Sequence, residues 1–173
     1  LWQWALFGGL VALSAATWYF LYTEQLTLIY YDAKSYLNIS RLVVDGQQPG
    51  LAQIGTVWLP LIHVIKLPLI WIDWAWQSGF AGSIFSMFSY VAAVTGIYAI
   101  IAKLTATRLV AVIAGAVAAL NVNFLYLQST PLSEPLYLAC LVWSVFFLAT
   151  YLKTSQTAYL LPLTFTVMLQ IMT

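Results

Sequence analysis

Long apolar runs alternate with short polar breaks along this chain, and the runs set its expected elements. A bilayer core takes about 20 apolar helical residues, and five runs approach that length: Leu1 to Tyr22, Phe80 to Ala102, Leu109 to Leu127, Pro135 to Leu152 and Thr157 to Met172. The pattern predicts an all-α fold, a polytopic transmembrane helix bundle of about five spans.

Between the first and second runs lies a long segment, about 23–79, with a different rhythm. From Asp32 to Asp45 the polar residues Lys34, Asn38, Arg41 and Asp45 recur at spacings of four, three and four, while Tyr36, Ile39 and Val43 take another face. That stripe predicts an amphipathic helix over about Ala33 to Val44, lying at a membrane surface, with Asp32 at its N-cap and Gly46 just past its end. Val57 to Ile72 is apolar but short, and carries Pro60, His63, Lys66 and Pro68. It reads as a second interfacial or re-entrant helix, since a span here would place Lys66 in hydrocarbon.

Charge gives direction. The break Lys103-Leu-Thr-Ala-Thr-Arg108 and Lys153 are the basic connections, and short loops rich in Lys and Arg stay in the cytoplasm. The loops 23–79 and 128–134 then face outward, and Glu24, Asp32, Asp45, Asp73 and Glu134 all lie on that outer side. Trp18, Tyr19 and Tyr22, with Trp71, Trp74 and Trp76, suit an interfacial aromatic belt.

Composition agrees with the pattern: 63% of the 173 residues are hydrophobic and 6% charged, against roughly 25% charged in soluble domains. A net charge of +1 gives no electrostatic basis for binding nucleic acid. The single Cys140 sits in an apolar run and forms no internal disulfide. The stretch Ala111-Val-Ile-Ala-Gly115 suits helix packing. No phosphate-binding glycine loop, Ser/His/Asp order or metal-ligand cluster occurs, and His63 without a second His or Cys nearby is a poor metal ligand. No metal or cofactor is expected.

The outer polar residues each admit two roles. Asp32 is either a helix cap or a carboxylate that accepts a proton as a general base, partly desolvated by Tyr30, Tyr31 and Tyr36. Glu134, between Ser133 and Pro135, is either a helix-start residue or a second carboxylate facing the same cavity. Lys34 and Lys66 suit headgroup contact by snorkelling. Arg41 can pair with Asp45 one turn on, and Arg41, Lys34 and His63 can also clamp a lipid-linked phosphate.

The outer loops carry a further pattern. Tyr31-Asp32-Ala33, Tyr36-Leu37, Ile39-Ser40-Arg41, Asp45-Gly46, Pro49-Gly50, Gln53, Gly55 and Trp58-Leu-Pro-Leu-Ile-His63 resemble the first extracytoplasmic loop of integral-membrane glycosyltransferases of the GT-C fold. Ser129-Thr-Pro-Leu-Ser-Glu-Pro135 is similar to their short Glu-Pro loop. The resemblance spans about Tyr31 to Tyr137, and residues 1–173 would be the N-terminal part of that family's membrane module. It implies a polyprenyl-phosphate sugar as donor, transfer to an acceptor hydroxyl of a lipid, glycan or protein on the extracytoplasmic face with inversion, and Asp32 as catalytic base. Glu134, Arg41, Lys34, His63, Trp58 and Gln53 would be its substrate-binding set. Spacing is nearest to the mannosyltransferase and aminoarabinose-transferase group, in a prokaryotic plasma membrane. Protein mannosyltransferases carry an adjacent Asp-Glu pair where Asp32 is here followed by Ala33 and Lys34, which argues against a metal site. A transporter or flippase with an acidic outer cavity, or a structural membrane subunit, is the alternative; spans without central charge favour the enzyme.

Overall fold

The computed structural model describes residues 2–54, 58–105 and 107–173. The described chain is all-helical: α1 (Trp2–Thr23), α2 (Tyr31–Asp45), α3 (Leu61–Val64), α4 (Leu67–Ile70), α5 (Asp73–Gln77), α6 (Phe80–Thr105), α7 (Arg108–Ala119), α8 (Val122–Gln128), α9 (Glu134–Thr154) and α10 (Leu160–Ile171), with 3₁₀ turns at Leu51–Gln53 and Thr157–Tyr159. Among the described residues, α1, α6 and α9 are long and apolar enough to cross a membrane. Counting the bent pair α7 and α8 as one span gives four.

Helix α6 is central. It packs on α9, α7, α1 and α8, and α9 also packs on α10. Its buried face is built from small residues, among them Ala81, Gly82, Ser83, Ser86, Ser89, Ala93 and Gly96, which let neighbouring backbones approach closely. At Gly96 the helices nearly touch, since an added Cβ would stand 2.6 Å from Val142 Cγ1 of α9.

Two expected spans fall short of a single span-length helix. The run Leu109 to Leu127 is not one helix: α7 stops at Ala119 and α8 restarts at Val122 after a 64° bend. Asn121 is the cause, because its side-chain oxygen accepts the Phe124 N–H at 3.0 Å and so begins a new helix. Tyr90 of α6 donates its hydroxyl to the Ala119 carbonyl at 2.7 Å, satisfying a carbonyl freed at the end of α7. The fifth run is likewise shorter than a span, a 3₁₀ turn leading into the 12 residues of α10.

Helix α2 forms where the polar stripe predicted it. The second surface helix does not: the segment divides into α3, α4 and α5, with Pro60 before α3, Pro68 in the first turn of α4 and an extended Ile72 before α5. Proline lacks the N–H that a continuous helix needs. The expected start at Val57, like Gly55 and Leu1, lies outside the described residues.

The first loop closes on α1 and α6 through aromatic contacts. Trp18 stacks on Tyr22 with ring centroids 5.2 Å apart and meets Phe80 edge-on at 5.0 Å. Tyr22 in turn meets Trp74 at 6.4 Å. These rings of the expected interfacial belt thus pack together at one end of the bundle.

Candidate active site

Helix α2 turns Ala33, Tyr36, Leu37 and Ser40 inward, a spacing that places all four on one helical face. Asp32 lies one turn before Tyr36 and Ser40 one turn after it. The helix begins at Tyr31, so Asp32 is not the N-cap; Tyr30 holds that position without a side-chain bond. Asp32 instead occupies the first turn, exposed, and makes no side-chain hydrogen bond or ion pair among the described residues. A carboxylate there still complements the helix dipole.

Tyr36 is the hub of the site. Its ring meets Trp58 edge-on at 5.0 Å and His63 at 5.6 Å, and Lys66 Nζ stands 5.0 Å above it. Burial pushes the phenol above its ordinary range, the Ser133 hydroxyl opposes that as a hydrogen-bond partner, and the charges of Glu134 and Asp32 both push it up further. The two carboxylates, from loops about a hundred residues apart in sequence, therefore bear on one phenol. That phenol stays protonated near neutrality.

Glu134 opens α9, with Pro135 behind it in the first turn. Ser133 sits at the cap position but makes no cap bond; its hydroxyl donates to Glu134 Oε2 at 3.5 Å. The 129–132 stretch is held from outside. Ser83 Oγ donates to the Ser129 carbonyl at 2.9 Å, Lys66 Nζ to that of Pro131 at 3.0 Å and Ser86 Oγ to that of Leu132 at 3.2 Å.

Lys66 does not reach out to a headgroup. It is fully buried, because the Pro-rich segment folds down against α2 and the second loop. Burial lowers its amine to about 7 from an ordinary 10.5. His63 is buried too, its Nδ1 3.3 Å from the Tyr36 carbonyl, so Nδ1–H is the donor. Burial and then the Lys66 charge lower its pKa to about 4, against a smaller rise from the Tyr36 carbonyl. The ring is neutral at physiological pH and braces α2 against α3.

The remaining candidates diverge. Arg41 faces α4 and α5, where it bonds Asp45 at 2.9 Å, Asp73 at 2.7 Å and the Ile70 carbonyl at 2.9 Å, and stacks over Trp76 at 5.0 Å. Its hydrogen bond to Asp45 leads the causes that raise its pKa, ahead of a smaller opposing effect of burial. Gln53 donates to the Gln48 carbonyl at 2.8 Å and braces the turn after α2. Lys34 is exposed and makes no hydrogen bond or ion pair among the described residues; two residues on from Asp32, it points about 200° around the helix.

Asp32, Glu134, Trp58 and His63 thus gather on Tyr36, while Arg41, Gln53 and Lys34 stand apart. Tyr36, Ser133 and Lys66 join the site without having been expected in its substrate-binding set. The Asp32-Tyr36-Ser40 spacing of four is the sequence signal for the first. Among the described residues no group of three or more His, Cys, Asp or Glu side chains is placed to hold a metal ion. The chain matches no known protein family, no characterised protein and no solved structure.

Proposed function

We propose that this chain is the loop-face module of a membrane glycosyltransferase that moves a sugar from a polyprenyl-phosphate donor to an acceptor hydroxyl. One observation carries the reading: two exposed carboxylates without cationic partners among the described residues, Asp32 and Glu134, bear on one buried phenol beside an apolar bundle. In this reading Asp32 takes the acceptor's proton as general base. The acceptor oxygen bonds to the anomeric carbon as the bond to the lipid phosphate breaks, and the phosphate leaves with the electron pair on the opposite face, inverting the configuration. Glu134 orients a hydroxyl of the acceptor or the sugar, and the Tyr36 phenol, with Ser133 as its hydrogen-bond partner, backs the two carboxylates. Arg41 is taken up by two aspartates and is not the cation that meets the leaving phosphate.

Orientation follows the basic connections: Lys103, Arg108 and Lys153 at the cytoplasmic end, and the carboxylates outside.

The test is Asp32→Asn in the full chain reconstituted in lipid, assayed for transfer from a matched polyprenyl-phosphate sugar. Loss of a general base lowers the rate by ~10² to 10⁴, so a fall of at least about a hundredfold is expected; a wild-type rate would overturn the assignment.

A solute-transport reading has one observation in its favour, the 64° break between α7 and α8, since transporters build binding sites on broken helices. Here Tyr90 and Asn121 already take up backbone groups at the break, and it carries no charged side chain. Solute uptake by reconstituted vesicles, with no transfer, would favour transport.

A further inference from the structure

Lys66 is the one fully buried cation among the described residues, and the reaction outlined above does not use it. Its amine has two partners from different parts of the chain. Nζ donates to the Pro131 carbonyl at 3.0 Å and stands 5.0 Å over the Tyr36 ring. The stem of the side chain runs against α6 at Gly82, where an added Cβ would meet Lys66 Cε at 3.0 Å and collide with Pro131 Cβ. Only a residue without a Cβ leaves room for the lysine stem and the second loop together. The site therefore has a floor of three layers: α6, the Lys66 side chain and the Tyr36 ring.

A hydrogen bond to the loop carbonyl needs only an N–H, which the ammonium and the neutral amine both supply. The contact with the ring face needs the charge, because a cation is drawn to the ring quadrupole and an amine is not. The two contacts thus respond differently to a proton. The titratable groups facing Lys66 are Tyr36 from α2 and His63 from α3; α6 and Pro131 present none. His63 is neutral and the phenol protonated near pH 7, so neither offers a counter-charge.

We propose that Lys66 is a positioning residue for the site: by holding the Pro131 carbonyl and the Tyr36 ring at once, it fixes the Tyr36 side chain against the loop that carries Ser133 and Glu134. This role rests on the transfer reading only for its effect on catalysis; the positioning itself does not. With its amine lowered to about 7 by burial, the charged, ring-holding form predominates below neutrality and is lost above it.

The experiment has two arms in the full chain in lipid. In the first, protein made with ring-¹³C tyrosine is titrated from pH 5 to 9, and the Tyr36 signal is identified by its loss in Tyr36→Phe. A step in that signal centred near pH 7 is expected, and Lys66→Met, which keeps an apolar stem of similar length, should abolish it. A wild-type signal flat across the range, or a step that persists in Lys66→Met, overturns the proposal, and the wild-type titration decides even if the variant fails to fold. In the second arm, transfer from a polyprenyl-phosphate sugar is followed against pH. Wild type should lose at least tenfold between pH 6 and 8.5, and Lys66→Met should start at least tenfold lower at pH 6 with no such step. An active enzyme whose profile is unchanged in Lys66→Met overturns the effect of Lys66 on transfer. A wild type without transfer, but with the tyrosine step intact, removes the glycosyltransferase reading and leaves Lys66 holding Tyr36.

Discussion

Arg41 of α2 holds Asp73 at the start of α5 through a 2.7 Å ion pair between residues 32 positions apart. The same guanidinium binds Asp45 and the Ile70 carbonyl and lies over Trp76. Both aspartates are about 70% exposed, so each pair alone is worth about 0–1 kcal/mol. The carbonyl bond and the stack require the planar fork of arginine. Arg41→Ala should lower stability by about 1–3 kcal/mol, Arg41→Lys by about 1 kcal/mol, and Asp45→Asn or Asp73→Asn by under about 1 kcal/mol. Thermal unfolding in detergent checks the order. Equal losses for the arginine and the aspartate variants would show that the carbonyl and ring contacts contribute nothing.

The bend between α7 and α8 depends on Asn121. Asn121→Ala removes the acceptor for the Phe124 N–H and should cost about 1 kcal/mol. Asn121→Asp or Asn121→Ser, which keep a side-chain acceptor, should cost less. Leucine at this position extends the apolar run and favours a continuous helix, and a straightened α7–α8 in a structure of Asn121→Leu would show that the cap sets the break.

Acid should weaken the fold through His63. Its folded pKa of about 4 lies below the ordinary 6.5, so between those values the folded state binds fewer protons than the unfolded one. Stability then rises with pH across that window, and is lost as pH falls from 6.5 toward 4. Lys66 acts with the same sign higher up, between about 7 and its ordinary 10.5. The melting temperature of wild type should drop by several degrees from pH 6.5 to 4, and His63→Asn, which supplies an N–H in place of Nδ1, should flatten that slope. Parallel curves for the two proteins would remove His63 as the source.

Topology is open to cysteine labelling in a Cys140→Ala background. Gln48 and Gln77 are exposed on the first loop, whereas Ser129 is fully buried and useless as a reporter. Cysteine at Gln48 or Gln77 should react with an impermeant reagent in intact cells, and cysteine at the exposed Thr105 or Thr154 should react only after lysis. Labelling of Thr105 from outside would invert the orientation and put the carboxylates in the cytoplasm.

Hydrophobic length and helical period are local properties, and by themselves they determine much of this protein. Apolar runs of span length mark α1, α6 and α9 to within a few residues. The stripe Lys34, Asn38, Arg41 and Asp45 marks α2, which the fold extends by a residue or two at each end. The two polar connections place Asp32 and Glu134 in loops that the fold brings to one end of the bundle, and the Arg41–Asp45 pair follows from their one-turn spacing.

What the tertiary structure decided are the contacts that no local period encodes. Asn121 reads as one of two asparagines in an apolar run until its side chain is seen to cap α8 and Tyr90 to take the carbonyl left behind. Lys66 looks like a snorkelling lysine because its partners, Pro131 and Gly82, come from elsewhere in the chain. Arg41 suits a phosphate clamp by residue type, yet Asp73 and Ile70 reach it first, from a segment whose prolines break the expected helix into short turns. Tyr36 shows in the sequence as a ring near Asp32 on the apolar face of a helix, not as a hub. It becomes the centre of the site because long-range packing brings Ser133 to its hydroxyl and Trp58, His63 and Lys66 to its ring.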